Sequence, residues 1–338
     1  MVHFYFWKGT ILGDKQDIQV GGQAVIEGVM MRGPSHIATA VRRKDGKIEV
    51  WKKEFISKTK KNKFLGLPIV RGFASLIEMM NISFSSLSFS EERASLDWKE
   101  EEKAKGKEIK EKSAAAEKRE GILMYVVAFG LAFLLFGFLP YQISDWVGLG
   151  KENLWFNLFA GGIRIIFFVV YVWVISRMKD VHRLFEYHGA EHKTVFAYEK
   201  GSELDAAHIQ YFSTLHPRCG TSFMFFVLLI SILIFSIVDT IVGHLLGDMP
   251  PIIIRLGYHL LLIPFVSGLS YEVLKLSGKK IDHPIVKMMT APGMALQRIT
   301  TQPPDDEQIE IALTAMQSAL DLELDQEVTY LDYKGNKK

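Results

Sequence analysis

The chain has 338 residues, with 40 lysines and arginines against 38 aspartates and glutamates, for a net charge of +2. That near-balance gives no argument for a nucleic-acid partner. Cys219 is the single cysteine, which excludes a disulfide framework and an all-cysteine metal cluster.

The first residues, MVHFYFWKGTILG, lack a charged region followed by an apolar run and a small-residue cleavage site, so no signal peptide is expected. Residues 17–56 read as β-structure. The run IATAVRRKDGKIEVWKKEF alternates around Asp45-Gly46, a hairpin turn signal. Just before it, GGQAVIEGVMMRGP carries Gln23, Glu27 and Arg32 among small and apolar residues. It has neither the Gly-Lys-Ser/Thr ending of a P-loop nor a dinucleotide-binding fingerprint. By itself it reads as a strand and a turn, with Glu27 a candidate ligand or base. Residues 1–63 thus form a β-rich region. The apolar stretch 64–90 contains Arg71 and Glu78 between basic flanks. It reads as an interfacial or re-entrant helix, or equally as a core helix of a soluble domain. Residues 91–121 are a Lys/Glu-rich helical linker.

Four blocks are long enough to cross a bilayer, which takes ~20 apolar residues: Ile122–Ser144, Leu154–Ser176, Ser222–Leu246 and Pro251–Leu274. The connections DWVGLGKEN and GDMP require tight hairpins, so spans pair within 122–176 and 222–274. The segment before the first span holds 23 of the 40 basic residues, the loop 177–221 six and the tail 275–338 eight, while the hairpins carry Lys151 alone. Basic residues stay on the cytoplasmic side. Both termini and the middle loop are therefore expected there. The fold class expected is an α-helical polytopic membrane bundle of four transmembrane helices with a cytoplasmic α+β region.

Ionisable residues occur inside the spans. Arg164 is near the middle of the second, while Asp239 and Arg255 occupy the outer halves of the third and fourth. At ~1.5 Å per residue Asp239 and Arg255 fall at similar depth and are expected to pair. An ion pair locking the bundle is the favoured reading over a polar path through it.

The middle loop holds the densest chemistry, LFEYHGAEHKTVFAYEKG. His188 and His192 at i, i+4 share one helical face, and Glu191 lies beside them. This is the H-x-x-E-H pattern of inverted zinc proteases. Two neutral imidazoles can hold a divalent ion, zinc first among candidates, and the carboxylate can act as base on its bound water. Gly189 argues against the helix, and a polar helix facing solvent is the bland alternative. A third ligand is needed. LHPRCGTSF places His216 and Cys219 at the mouth of the third span, next to Arg218. A thiol beside an arginine and a helix N-terminus should carry thiolate character. His216 or Cys219 could complete a metal site, Cys219 could be a nucleophile with a histidine as base, or the segment could be a turn that fixes the loop. Glu272 near the end of the fourth span, and Asp282 and His283 beyond it, return to the same face. Glu272 could instead reach for the interface. In the tail, Pro303-Pro304 precede a helical stripe of Ile309, Leu313, Met316 and Leu320 suited to packing.

With GGQAVIEGVMMRGP, EYHGAEHKTVFAYE, LHPRCGTSF and DHPIVKMMTAPGMALQRITTQPP in order, the chain resembles the YqhQ-type family, bacterial domain-of-unknown-function family 1385, from about Gln19 to Pro304. The resemblance implies a bacterial multi-pass plasma-membrane protein and a metal-dependent enzyme. It places Glu27, Arg32, His188, Glu191, His192, His216, Arg218, Cys219, Asp282 and His283 in the family's motif blocks, and it supplies no reaction.

Three functions follow. The first is a metal-dependent enzyme of hydrolase type at the cytoplasmic membrane face, with His188 and His192 as ligands, Glu191 activating water, and His216, Cys219 or His283 as the further ligand. The second is a non-catalytic scaffold or membrane-protein insertion factor that docks membrane-protein partners. The third is a transporter or channel built on Arg164, Asp239 and Arg255. Lipid is the common partner, and the metal reading requires its polar clusters to converge within ~10 Å.

Overall fold

The computed structural model describes residues 20–107, 113–148, 154–247, 249–279, 283–324 and 326–337. Four strands form an antiparallel meander: β1 (Gly21–Val25), β2 (Gly28–Arg32), β3 (His36–Arg42) and β4 (Ile48–Glu54). Ile26 and Glu27 make the first turn, with Glu27 in the left-handed region at φ 51°. Asp45-Gly46 makes the β3–β4 turn, closed by Gly46 N–H donating to the Arg43 carbonyl at 2.9 Å. After α1 (Lys58–Lys61) comes α2 (Val70–Ala104), a continuous helix of 35 residues. The boundary expected at residue 90 therefore has no counterpart.

The membrane-type helices follow. α3 (Ala114–Phe133) runs through a π-helical turn (Leu134–Phe138) into α4 (Leu139–Trp146), and α5 is Leu154–Ile175. α6 (Lys179–Glu199) and α7 (Ala206–Ile209) precede α8 (Gly220–Leu246) and α9 (Ile252–Lys279). α10 (Pro284–Thr300), α11 (Asp306–Ala319) and β5 (Thr329–Leu331) complete the chain. β5 adds to β4 in parallel, with Trp51 opposite Leu331.

Side chains alternate across a strand, and here both faces are covered. Val29, Met31, Ala38, Ala40 and Val50 pack against Tyr187 and Val195 of α6 and Ile309, Ala312 and Met316 of α11. The opposite face, with Val25, Met30, Val41 and Trp51, packs on Phe89 of α2. β2 is apolar on both sides for that reason. The result is a three-layer unit: α2, then the sheet, then α6 with α11. Polar groups are paired where α2 crosses the sheet. Thr39 donates to Ser86 at 3.0 Å, and Arg43 pairs with Asp97 at 2.7 Å. Nearer the bundle, buried Glu78 accepts from Ser57 Oγ at 2.6 Å, and Arg71 and Glu272 pair between α2 and α9, at 2.6 Å from Nε.

Four helices are long and apolar enough to cross a membrane: 118–146, 154–175, 220–246 and 253–277. The most apolar window of the first has no buried residue. A surface of that kind is stable only against lipid or another apolar body. The π-turn has a local cause. Proline lacks an N–H and its ring displaces the carbonyl four residues earlier; Pro140 sits at the start of α4. The carbonyl it displaces is that of Phe136, which accepts from Arg164 Nε at 2.9 Å. Arg255 pairs with Asp239, which also accepts from Tyr258 and from His259 Nε2 at 2.9 Å.

Candidate metal centre

Where α6 crosses the sheet, everything from Tyr187 to Tyr198 but His188 and Phe196 is buried. Gly189, which by propensity weakens the helix, has a steric reason to be there. A Cβ at this position would stand 2.0 Å from the Gln302 carbonyl oxygen, where the chain leaving α10 crosses α6. The i, i+4 spacing then brings the His188 and His192 rings to 4.4 Å. Each ring is held through Nδ1 by a backbone carbonyl: His188 by Thr300 at 2.8 Å, His192 by Thr214. Those bonds leave Nε2 of each ring with its lone pair directed away from the clamp.

Cys219 is the N-cap of α8, and its Sγ accepts from Thr221 N–H at 3.4 Å. Sγ also lies 3.3 Å from His188 Nε2. One ligand atom from each of His188, His192 and Cys219 falls within 4.8 Å of the others. Nε2 of His192 is fully buried and has no hydrogen-bond partner. Leaving such a group unpaired costs ~1–3 kcal/mol. Two histidines whose Nε2 atoms are spared by the backbone clamps, one of them 3.3 Å from the thiol, and a thiol at a helix N-terminus, where negative charge is favoured, form a donor set that fits a tetrahedral zinc-type ion.

Glu191 lies beside the set, with Oε2 3.5 Å from His192 Nε2. Burial pushes its carboxyl above the usual range, opposed by the His188 and His216 rings and by the Gly22 N–H. Gly22 must be glycine for this approach, because a Cβ there would stand 2.8 Å from Glu191 Cγ and 2.4 Å from the Met30 carbonyl. Burial also lowers the pKa of His192 and of His216. Both rings are therefore neutral near pH 7, the state that binds metal.

The other sequence candidates fall elsewhere. The His216 ring lies tilted beside His192, at 5.7 Å between centroids, but its Nδ1 accepts from Arg218 N–H at 3.3 Å and its Nε2 faces Glu199 at 3.5 Å. Arg218 pairs with the same Glu199. Glu27 binds Arg183 at 2.5 and 2.6 Å and locks the first hairpin turn to α6. Arg32 sits 4.8 Å over the Phe55 ring. Glu272 is engaged with Arg71, and Arg164, Asp239 and Arg255 belong to the bundle interior. His283 is exposed at the start of α10, whose 17 residues put it about 25 Å from the Thr300 end that holds His188. It is therefore not brought to the cluster, and Asp282 lies outside the described residues.

Gln297 was not singled out from sequence. It is fully buried and clamps the 216–222 turn with three bonds: Oε1 accepts from His216 N–H at 2.8 Å, and Nε2 donates to the His216 carbonyl at 2.9 Å and Ser222 Oγ at 3.0 Å. The available signal was its place in the DHPIVKMMTAPGMALQRITTQPP block, as a neutral polar residue on an otherwise apolar stretch.

The family described as "Protein of unknown function (DUF1385)" matches residues 67–322. The chain is also similar to "Uncharacterized protein YqhQ" of Bacillus subtilis (strain 168), 33% identical over 314 residues, covering 90% of this chain and 92% of that protein. No solved structure matches. A match over most of the chain, at that level of identity and with the motif blocks in order, shows that the chain belongs to the DUF1385 family.

Proposed function

We propose that the chain is a metal-dependent enzyme of hydrolase type at the cytoplasmic membrane face, with His188, His192 and Cys219 as ligands and Glu191 as general base. The observation that carries the reading is that one donor atom from each of His188, His192 and Cys219 lies within 4.8 Å of the others, while the buried Nε2 of His192 makes no hydrogen bond. Three protein ligands leave a fourth position for water, as in catalytic rather than closed zinc sites. A bound divalent ion would supply Lewis acidity and a water of lowered pKa.

The chain's own residues do the rest. The Thr300 and Thr214 carbonyls fix the tautomer and tilt of the two imidazoles. The Thr221 N–H holds Sγ in place. Glu191 would accept, at its carboxylate, the proton given up by a water in the fourth position; burial, which raises its pKa, makes it a stronger base than an ordinary carboxylate. The cytoplasmic placement rests on the basic residues, which crowd into the segments flanking the spans and leave the hairpins nearly bare.

The test is elemental analysis of the detergent-purified protein beside a His188→Ala/His192→Ala variant. About one equivalent of a transition metal in the wild type, lost in the variant, is the expected result. No metal in either, even after adding Zn²⁺, Mn²⁺ or Fe²⁺, would sink the enzyme reading and favour a non-catalytic membrane factor.

A further inference from the structure

The bundle holds a second polar site, which the metal centre does not use. A cavity of about 250 Å³ lies between the π-turn, α5, α8 and α9. That is close to the ~300 Å³ at which small-ligand sites begin. Asp239, on its wall, is 20 residues along α8 from Cys219, about 30 Å by helical rise. The polar part of the cavity is therefore distinct from the metal centre, although its apolar wall reaches back along α8 to Leu228.

Most of the cavity wall is apolar, but Asn157, Arg164, Asp239, Arg255 and His259 form a polar band across it. Asp239 is already satisfied by Arg255, Tyr258 and His259. Among the described residues no carboxylate stands within ion-pair distance of Arg164, whose Nε is spent on the Phe136 carbonyl. Nδ2 of Asn157, a residue 7% exposed, has no partner, and neither has Nε of Arg255. Two guanidinium groups thus face one carboxylate, and donors are left over where acceptors are not. A desolvated cation in a bundle needs an anion, and a guanidinium fork matches the paired oxygens of a phosphate or a carboxylate. One wall continues outward as Leu256, Leu260 and Ile263, at i, i+4 and i+7 on α9 and 48, 56 and 42% exposed. An apolar track leading to an anion site fits an amphiphile rather than a free ion.

We infer that this cavity binds the phosphate headgroup of an acidic phospholipid between Arg164, Asn157 and Arg255, with an acyl chain along Leu256, Leu260 and Ile263. A zwitterionic lipid fits less well, because its ammonium finds no free carboxylate.

Native mass spectrometry of the full chain in neutral detergent tests this with phosphatidylglycerol, phosphatidylcholine and inorganic phosphate as probes. One phosphatidylglycerol per chain should be retained at least tenfold better than phosphatidylcholine and resist excess inorganic phosphate. Arg164→Met should lower retention at least tenfold, and Arg164→Lys should recover part of it. Asn157→Leu gives a second reading if Arg164→Met does not fold. Equal retention of the two lipids, undiminished retention in both variants, or displacement by inorganic phosphate would overturn the inference.

Discussion

Replacing Gln297 by methionine changes little volume but removes all three bonds that hold the 216–222 turn. At ~0.5–1.5 kcal/mol per bond the loss is roughly 1.5–4.5 kcal/mol; the His216 N–H is left buried without a partner, whereas its carbonyl keeps the Cys219 N–H at 3.3 Å. The site lies at Cys219, inside that turn. Losing an outer partner of a ligand typically costs ~10–100-fold in metal affinity. Gln297→Met should therefore lower both the melting temperature and the zinc affinity measured by chelator competition. The competition is run well below the variant's melting point, so that unfolding does not contribute. A variant that melts lower but binds zinc as tightly as the wild type would refute the idea that Gln297 positions the cysteine.

Cobalt substitution should give a thiolate-to-cobalt charge-transfer band that Cys219→Ser abolishes; an unchanged spectrum would remove Cys219 from the ligand set. His283→Ala and Glu272→Gln should leave metal stoichiometry unchanged, checked by the same elemental analysis. Glu191→Gln should raise the melting temperature of the metal-free protein above about pH 5. A carboxyl whose folded pKa is raised loses stability as pH climbs from the unfolded value of 4.5 through the folded one, and the amide escapes that loss. His192 and His216 act in the opposite direction. Their folded pKa values are lowered, so the stability they add is present above the unfolded value of 6.5 and is lost on acidification below it, which a melting series from pH 7.5 to 5 should register. In a Cys219→Ser background, a membrane-impermeant thiol reagent applied outside should label Val147→Cys in the first hairpin and spare Lys334→Cys in the tail.

The four long helices could be read from sequence because their apolar runs are unbroken over a spanning length, whereas the apolar stretch 64–90 is interrupted by Arg71 and Glu78 and stayed ambiguous. The Asp45-Gly46 turn and the shared face of His188 and His192 were legible for equally local reasons. α2 was not. Its first half meets α9 and its second half meets the sheet, so Glu78, Arg93 and Asp97 are buried by pairing and no single stripe marks the helix. β5, three residues joining the sheet edge from the far end of the chain, has no pattern long enough to announce it. At the candidate site, sequence singled out His188, Glu191, His192 and Cys219, which lie together, but left His216, Cys219 and His283 as alternatives for a third ligand. Which of them faces the two histidines depends on which way His216 turns, and Gln297, Arg218 and Glu199 hold it turned toward Glu199. Backbone carbonyls, which hold both histidines, leave no trace in side-chain identity.

The three donor residues are anchored on different parts of the molecule. His188 and His192 ride on α6, which packs on the sheet, whereas Cys219 caps the N-terminus of a helix that runs into the bundle. An ion held by all three would act as a rivet between the two. Chelation would then do more than empty a site. It would loosen the hinge between soluble layer and bundle, and protease sensitivity would rise in the 200–219 connection before either half unfolds.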